Sequence, residues 1–391
     1  MVDVALLTGG GDRPYALGLT QSLTARGLTV DFIGSDFLDS EELRQDPRVN
    51  FLNLRGDVNP RAPALTKMVR VLRYYVRLFR YALTSRAPVF HILWNNKFEV
   101  FDRTFLMAYY RALGKKLVLT VHNVNTAQRD GRDNWWNRTT LRWQYRAMDH
   151  LFVHTRLMKE QLVQGYDVMP ERITVIPFGI NETVPVTDLT NDGARSLLGL
   201  RDDEPVLLMF GNIAPYKGLE YLVESLPDVL RQVPNVRLII AGRPKGEEAY
   251  WSGIEGRIEK LGIADRVLRR IEYVPDEDTE IYFKAADAVV LPYTNIFQSG
   301  VLLLGYSFGL PAIATTVGSL AEDIVEGQTG YTAEARDPRS LSDAILRFLR
   351  GPLYANRAVQ RDHVKRWARE RYSWSGIAAT IEGVYRGLGA H

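Results

Sequence analysis

The sequence predicts an α/β protein made of two doubly wound parallel sheets, and three observations carry that prediction. Short apolar runs alternate with amphipathic stretches along the whole chain, which is the rhythm of repeated βαβ units. One polar segment, 180–195, interrupts the rhythm. The length of 391 residues suits two domains. We therefore expect an N-terminal domain over 1–184, a second domain over 185–371 and a C-terminal helix within 372–391.

The elements follow in order. In the first half a helix-like stretch, 15–27, follows the first of the strand-like runs, which cover 4–8, 30–34, 89–94, 117–122, 151–155 and 173–179. After the polar segment the runs cover 206–211, 236–242, 267–274, 288–292 and 312–316, and a last helix covers 374–388. Ligands of open parallel sheets bind outside the carboxyl ends of the strands. The residues just after each run are therefore the candidate site residues.

Composition excludes several classes of protein. The hydrophobic fraction of 46% and net charge of +3 describe an ordinary globular chain with no expected nucleic-acid partner. The absence of cysteine excludes disulfides, Cys-ligated zinc and thiol catalysis. The six histidines lack metal-binding spacing, so no metal is expected. No signal peptide or membrane-spanning stretch is recognisable, and we expect a cytoplasmic protein.

In the first half, the glycines at 9–11 resemble a phosphate loop but fit neither the dinucleotide nor the P-loop spacing. Gly10 and Gly11 therefore either face a ligand phosphate or sugar, or form a tight strand-to-helix turn. His122 ends a strand-like run, where it is either a site residue or a structural histidine. We do not expect His91 or His154 to be functional, because His91 starts a strand-like run and His154 lies within another.

In the second half, Gly211 ends a strand, and Lys217 precedes an amphipathic helix. A lysine beside a helix start favours an anion, although a solvated surface lysine is the alternative. Arg243 follows the next strand on the same sheet edge. The uncharged stretch 295–311 then places Ser299 as the N-cap of an apolar helix, with the amides of Gly300, Val301 and Leu302 directed at an anion. The alternative is a plain core helix.

Two further segments are candidate surfaces. In 63–88 the apolar residues Val69, Leu72, Val76, Phe79 and Leu83 fill one helical face, and a second face carries Arg70, Arg73, Arg77 and Arg80. The basic face is either simply solvated or attracted to anionic lipid, and RNA is a weaker option. In 133–145, Trp135 and Trp136 either stack on acceptor sugar rings or pack in the core.

The second half resembles glycosyltransferase family 4, through FGNIAPYKGLEYLVESLP, AADAVVLPY and SGVLLLGYSFGLPAIATTVGSLAEDIVEGQTGY. In the first half the glycine loop, TVHN and VIPFGIN fit as well. The resemblance implies a GT-B fold, with two Rossmann-like domains facing across a cleft. It also implies a retaining, nucleotide-sugar-dependent enzyme that needs no metal or other cofactor. The donor would bind mainly to the C-terminal domain and the acceptor to the N-terminal one, and the last helix would cross back.

The sequence departs from the family at its donor site. Asn212 stands where the family has an arginine, and Ile296 and Leu304 stand where it has two glutamates. Glu322 matches a family acidic position, with the alternative that it caps a helix. The usual carboxylate contacts to sugar and ribose are therefore absent, and Asn295 and Gln298 are the neutral side chains that can hydrogen-bond the sugar instead.

These observations predict transfer of a hexose from a UDP-sugar or related donor to the hydroxyl of a glycan or lipid-linked acceptor, in polysaccharide or glycolipid assembly. We expect Lys217, His122 and Gln298 to be catalytic, with Tyr273 and Val274 holding the base. Gly10, Gly11 and His122 would face the donor sugar. The basic helix suggests peripheral attachment at the inner face of the membrane. The alternatives are a non-catalytic nucleotide-sugar-binding relic and a nucleotide-sugar 2-epimerase, whose chemistry needs carboxylates that stretch 295–311 lacks.

Overall fold

The computed structural model describes residues 2–59, 62–129, 131–181, 184–244 and 246–390. Its contacts divide the chain into two compact domains. The first consists of Met1–Gly179 with Tyr372–His391, and the second of Ile180–Arg371. Each contains one sheet whose strands are all parallel, as the alternating pattern predicts.

The first domain holds a seven-stranded sheet in the order β3-β2-β1-β4-β5-β6-β7. Its strands are β1 (Val4–Leu7), β2 (Val30–Gly34), β3 (Val49–Asn53), β4 (Val89–Ile92), β5 (Lys116–Val121), β6 (His150–Val153) and β7 (Ile173–Val175). Its helices up to this point of the chain are α1 (Arg13–Ala25), α2 (Glu41–Gln45), α3 (Ala64–Thr84), α4 (Glu99–Phe101), α5 (Met107–Ala112), α6 (Thr126–Arg129), α7 (Trp135–Ala147) and α8 (Arg156–Tyr166). A π-helical turn, Asp102–Leu106, joins α4 to α5.

The second domain holds a six-stranded sheet in the order β10-β9-β8-β11-β12-β13. Its strands are β8 (Val206–Phe210), β9 (Arg237–Ala241), β10 (Val267–Arg270), β11 (Ala288–Leu291), β12 (Ala312–Thr315) and β13 (Gly330–Ala333). Its helices are α9 (Asn191–Leu197), α10 (Leu219–Gln232), α11 (Glu248–Lys260), α12 (Asp276–Ala285), α13 (Gly300–Ser307), α14 (Pro338–Arg350), α15 (Pro352–Ala355) and α16 (Arg357–Arg371).

The central strands are easily recognised in the sequence, because both faces of a parallel sheet are covered and nearly every strand residue is apolar. All four residues of β1 and of β11 are buried, so each forms a continuous apolar run. The sequence analysis missed the edge strands β3 and β13. Strand β3 is only half-buried and includes two asparagines, which gives it no apolar run to detect.

The last helix, α17 (Trp374–Gly387), belongs to the first domain. Ile377, Ile381 and Tyr385 are fully buried in the same apolar cluster as the residues of α1. Glu382 on its flank forms an ion pair with Arg26, which follows α1. Packing of an apolar face therefore fixes the C-terminal segment to the domain that contains the N-terminus.

One sequence-based expectation about local structure is wrong, and α3 packs on a face that the sequence did not identify. The polar segment 180–195 is not all linker, because α9 begins at Asn191 and the hydroxyl of Thr190 caps it by accepting from the Gly193 amide at 3.0 Å. In α3 the face packed on the domain carries Tyr74, Tyr75, Leu78 and Ala82. The apolar residues Val69, Leu72, Val76 and Leu83 of this helix are exposed to solvent, because periodicity identifies a face without identifying what covers it.

Candidate functional site

Lys217 lies at the carboxyl edge of the second domain's sheet, between β8 and α10. The short helical turn Pro215–Lys217 places it inward, and the residue is only 5% exposed. Its ammonium donates to the carbonyl of Phe210 at 3.3 Å and lies 5.3 Å from the centre of the Tyr293 ring. Burial lowers the pKa of Lys217, and no carboxylate of the described chain opposes that fall. A buried cation without an acidic partner favours binding of an anionic ligand, because the ligand supplies the missing negative charge.

Two glycines allow the backbones of the loops around Lys217 to approach each other closely. Gly218 has a φ of +63°, and a Cβ there would lie 2.0 Å from the carbonyl oxygen of Pro292. Gly242 has a φ of +146°, and its Cβ would lie 1.9 Å from the carbonyl oxygen of Gly211. No other residue fits these positions without a clash. The glycines therefore hold the ends of β8, β9 and β11 together as one edge.

The start of α13 is a second candidate anion-binding element, with fewer free amides than expected. The Ser299 hydroxyl caps the helix by accepting from the Leu302 amide at 3.3 Å. The expectation that the Leu302 amide would point at a ligand is therefore wrong, because its hydrogen is already donated. Gly300 is exposed, and a Cβ there would meet nothing within 4 Å. The amides of Gly300 and Val301 remain for a ligand.

The structure brings Lys217 and this helix start together. A Cβ built on Gly211 would lie 3.1 Å from the Lys217 ammonium nitrogen and 3.6 Å from a methyl group of Val301. The Ser299 hydroxyl lies 3.5 Å from the hydroxyl of Tyr293, the ring that Lys217 covers. The positive charge and the helix dipole thus meet at one place on the sheet edge.

Gln298 precedes this helix and carries an unsatisfied acceptor. Its side-chain oxygen is buried and has no hydrogen-bond partner within the described residues. Asn295, in the same loop, is exposed. The loop is held to the following turn because the Ser319 amide donates to the carbonyl of Phe297 at 2.9 Å. Gln298 is therefore positioned as an acceptor for a ligand hydroxyl.

The positions of the family's acidic residues hold no carboxylate in this loop and helix. Leu304 is 6% exposed and belongs to the buried face of α13, and Ile296 is half-buried in the loop. Glu322 lies in a turn, where its amide donates to the Ser319 carbonyl at 2.9 Å, and its side chain is exposed. The alternative that Glu322 caps a helix is wrong, because no helix begins there.

Arg243 and Tyr273 form a separate pair along the same edge. The guanidinium lies 5.1 Å from the centre of the Tyr273 ring, and the backbone carbonyl of Arg243 accepts from the Ile213 amide at 2.9 Å. Tyr273 is 60% exposed, and Val274 beside it is half-buried in the loop after β10. Asn212 is exposed. Among the described residues, no side-chain hydrogen bond or ion pair joins Arg243 or Tyr273 to Lys217.

In the first domain the glycine loop is a tight turn from β1 into α1. The carboxylate of Asp12 caps α1 by accepting from the Tyr15 amide at 3.0 Å. A Cβ on Gly11 would lie 2.0 Å from the Trp94 ring, and one on Gly10 would lie 2.2 Å from the Arg55 guanidinium. Because a carboxylate already occupies the helix start, the loop suits a neutral sugar better than a phosphate.

His122 is part of a buried aromatic cluster at the carboxyl edge of the first sheet. Its ring stacks on Trp94 at 4.2 Å with an interplanar angle of 3°, and its Nδ1 lies 3.0 Å from Nε2 of His154. Burial lowers the pKa of His122 well below its usual 6.5 and that of His154 to about 4. His122 is therefore neutral at pH 7. The expectation that His154 lies within a strand is wrong, because β6 ends at Val153 and leaves His154 just past the strand.

A cavity of about 270 Å³ opens beside the glycine loop, and the sequence analysis did not foresee it. Its polar lining includes Arg55, Lys67, Arg70, Tyr74, Asn96 and Lys97. Asp57 also lines it and forms an ion pair with Arg70 at 2.7 Å. Because four cationic side chains and one carboxylate line the cavity, its net charge is positive. The spacing of these residues along the chain forms no motif from which the cavity could have been predicted.

Trp135 and Trp136 lie at the start of α7 and are 66% and 68% exposed. The alternative that they pack in the core is therefore wrong. Their rings meet edge to face at 4.8 Å, and Trp135 lines an open cavity of about 580 Å³ with Gln128 and Arg138. They remain candidates for contact with an acceptor.

The described residues contain neither a candidate metal cluster nor a candidate membrane-spanning helix. Across that part of the chain, no group of three or more His, Cys, Asp or Glu side chains is placed to hold a metal ion. Over the same residues, no helix has both the length and the apolar character needed to cross a membrane.

Comparisons with solved structures show the fold. Sucrose-phosphate synthase from Thermosynechococcus elongatus superposes with a TM-score of 0.76 and 20% identity, covering 99% of each chain. HepE from Anabaena, solved in complex with UDP, superposes with a TM-score of 0.75 and 15% identity, covering 99% of this chain and 100% of that one. The predicted GT-B fold is confirmed.

Sequence comparisons show the family. D-inositol 3-phosphate glycosyltransferase from Corynebacterium urealyticum is 29% identical over 245 residues, which are 61% of this chain and 57% of that protein. The chain thus aligns with little more than half the length of that relative. Residues 9–184 match the model described as Glycosyltransferase Family 4, and residues 204–351 match Glycosyl transferases group 1. With both domains matched and the GT-B fold in place, the chain belongs to glycosyltransferase family 4.

Proposed function

We propose that the protein transfers a hexose from a nucleotide diphosphate sugar, first of all a UDP-sugar, to an acceptor hydroxyl with retention of configuration. One observation carries the proposal: Lys217 is a buried ammonium with no acidic partner among the described residues, and it lies beside the start of α13. An anionic group held there would satisfy the charge and receive the Gly300 and Val301 amides. The diphosphate of the donor has that chemistry.

In the proposed reaction negative charge grows on the leaving diphosphate, and Lys217 with the two amides stabilises it. A phosphate oxygen of the leaving group takes the proton of the acceptor hydroxyl as the new glycosidic bond forms. This step needs no protein carboxylate, which agrees with the apolar Ile296 and Leu304. Gln298 accepts a hydrogen bond from a sugar hydroxyl through its unpartnered oxygen.

The comparisons support the choice of donor. HepE, which shares the fold, was solved with UDP and with UDP-glucose. For the acceptor, the net positive cavity beside Arg55 fits a glycan or lipid-linked molecule that carries an anionic group. His122 acts in this scheme as a neutral hydrogen-bonding group, since burial keeps it uncharged.

The test is calorimetric titration with UDP and GDP, followed by turnover of UDP- and GDP-sugars with product analysis. We expect UDP to bind wild type, Lys217→Ala to lose binding, and Lys260→Ala, a substitution of an exposed lysine on α11, to keep it. Binding without turnover would identify a non-catalytic relic, and an epimerised donor would identify an epimerase. Binding of neither nucleotide would overturn the donor-site assignment.

A further inference from the structure

Helix α3 exposes a long apolar stripe to solvent. Leu72 is 66% exposed, Val76 53% and Leu83 66%, while the packed face of the helix carries other residues. The exposed apolar residues of α3 are Leu65, Met68, Val69, Leu72, Val76 and Leu83. Isolated exposed leucines are common, but six on one stripe of one helix need a partner.

The stripe continues onto the neighbouring segment 98–105. Phe98, Val100 and Phe105 are 54%, 55% and 58% exposed. Phe79 of α3 joins the two segments, because its ring centre lies 6.2 Å from that of Phe105. We call these nine exposed residues, six on α3 and three on 98–105, the apolar surface. Together they form a patch typical of a docking site.

Arginines border the apolar surface on one side. Successive residues of a helix are rotated by about 100°, which places Arg73, Arg77 and Arg80 between the stripe and the far edge of the packed face. All three are exposed, and α3 contains no acidic residue. Arg70 turns toward the cavity, where it pairs with Asp57. The helix thus has a packed face, an exposed apolar stripe and an exposed basic border.

We propose that this face of α3 docks on an anionic lipid membrane, with the apolar surface inserted among the acyl chains and Arg73, Arg77 and Arg80 on the headgroups. This arrangement is that of a helix lying in a membrane interface. A second copy of the chain would cover the apolar surface less well, because the arginines of the two copies would lie near each other without carboxylates to pair with them. An anionic membrane satisfies both the apolar stripe and the positive charge of the border.

Docking also bears on the acceptor. Lys67, Arg70 and Tyr74, near the start of α3, line the positive cavity, so a membrane-bound α3 holds that cavity close to the lipid headgroups. We infer that the acceptor is a membrane lipid with an anionic headgroup. This second step rests on the proposed function, whereas docking itself does not, and lipid binding can be measured without donor or turnover.

The test is flotation of the full chain with vesicles of phosphatidylcholine alone or mixed with phosphatidylglycerol. We expect wild type to float with the mixed vesicles and far less with the neutral ones. Leu72→Glu/Val76→Glu should lose flotation, while Val359→Glu, at a 71% exposed site on α16, should keep it. Arg73→Glu/Arg80→Glu should weaken binding to the mixed vesicles about thirtyfold or more, at about 1 kcal/mol for each arginine near the surface.

Several outcomes would overturn the proposal. Wild type that floats with neither vesicle, or equally with both, would refute an anionic-membrane surface. Flotation that survives Leu72→Glu/Val76→Glu would place lipid binding elsewhere. A dimer in light scattering that Leu72→Glu/Val76→Glu converts to monomer, without lipid binding by either, would make the stripe a contact between copies. Since the substituted residues are exposed, unchanged melting temperatures are the control for folding.

Discussion

Replacing Lys217 with methionine should change stability and ligand affinity in opposite directions. Methionine keeps the length and the apolar stem of the side chain but removes the charge. In the unliganded protein the ammonium is 5% exposed and has one hydrogen bond, to Phe210, so its loss removes a desolvation cost. We expect the second domain to gain about 1–3 kcal/mol. Each kcal/mol raises Tm by about 2–4 °C in a domain of this size.

The same substitution should weaken UDP binding. Removing one partner of a buried charged contact costs about 2–5 kcal/mol, which is roughly a 30- to several-thousand-fold rise in Kd. Differential scanning calorimetry without ligand and calorimetric titration with UDP measure the two effects. A structural lysine would lose stability on substitution, so a lower Tm without ligand, or an unchanged Kd, refutes the reasoning.

Three further predictions concern the loops, the sugar contact and pH. Gly218→Ala should be several times more destabilising in urea unfolding than Gly262→Ala, because both have similar positive φ values but only the first meets a carbonyl, that of Pro292. Equal costs would show that the close approach is unimportant. Gln298→Ala should lower kcat/KM about three- to tenfold and leave UDP affinity unchanged, since its unpartnered oxygen is assigned to the sugar; a loss of UDP affinity would contradict that assignment. Burial holds the pKa of His91 at about 3, below its usual 6.5, so the unfolded chain binds more protons and stability falls as pH drops below 6.5. At pH 5 this lowers the free energy of unfolding by about 2 kcal/mol. Urea unfolding at pH 7 and pH 5 should therefore show a smaller decrease in the free energy of unfolding for His91→Gln than for wild type.

Much of the proposed donor site could be predicted because its signals are local in the chain. Lys217 follows a strand and precedes a helix, and Ser299 is a capping residue before an apolar run. What could not be predicted is the burial of Lys217 and its approach to Val301, since these depend on Gly218 and Gly242 packing separate loops together. The hydrogen bond between His122 and His154 was missed for the same reason, because it joins the ends of two different strands.

The sequence by itself determined the two doubly wound sheets, because a buried parallel strand must be a continuous apolar run, and with them the sheet edge that holds the candidate site residues. It also determined that α3 is amphipathic. Only the tertiary structure decided that Tyr74 and Leu78 are buried while Leu72 and Val76 face solvent. Periodicity records which residues share a face, but burial depends on contacts between elements distant in the chain. The apolar face recognised in the sequence is therefore exposed, and it is the surface proposed to meet the membrane.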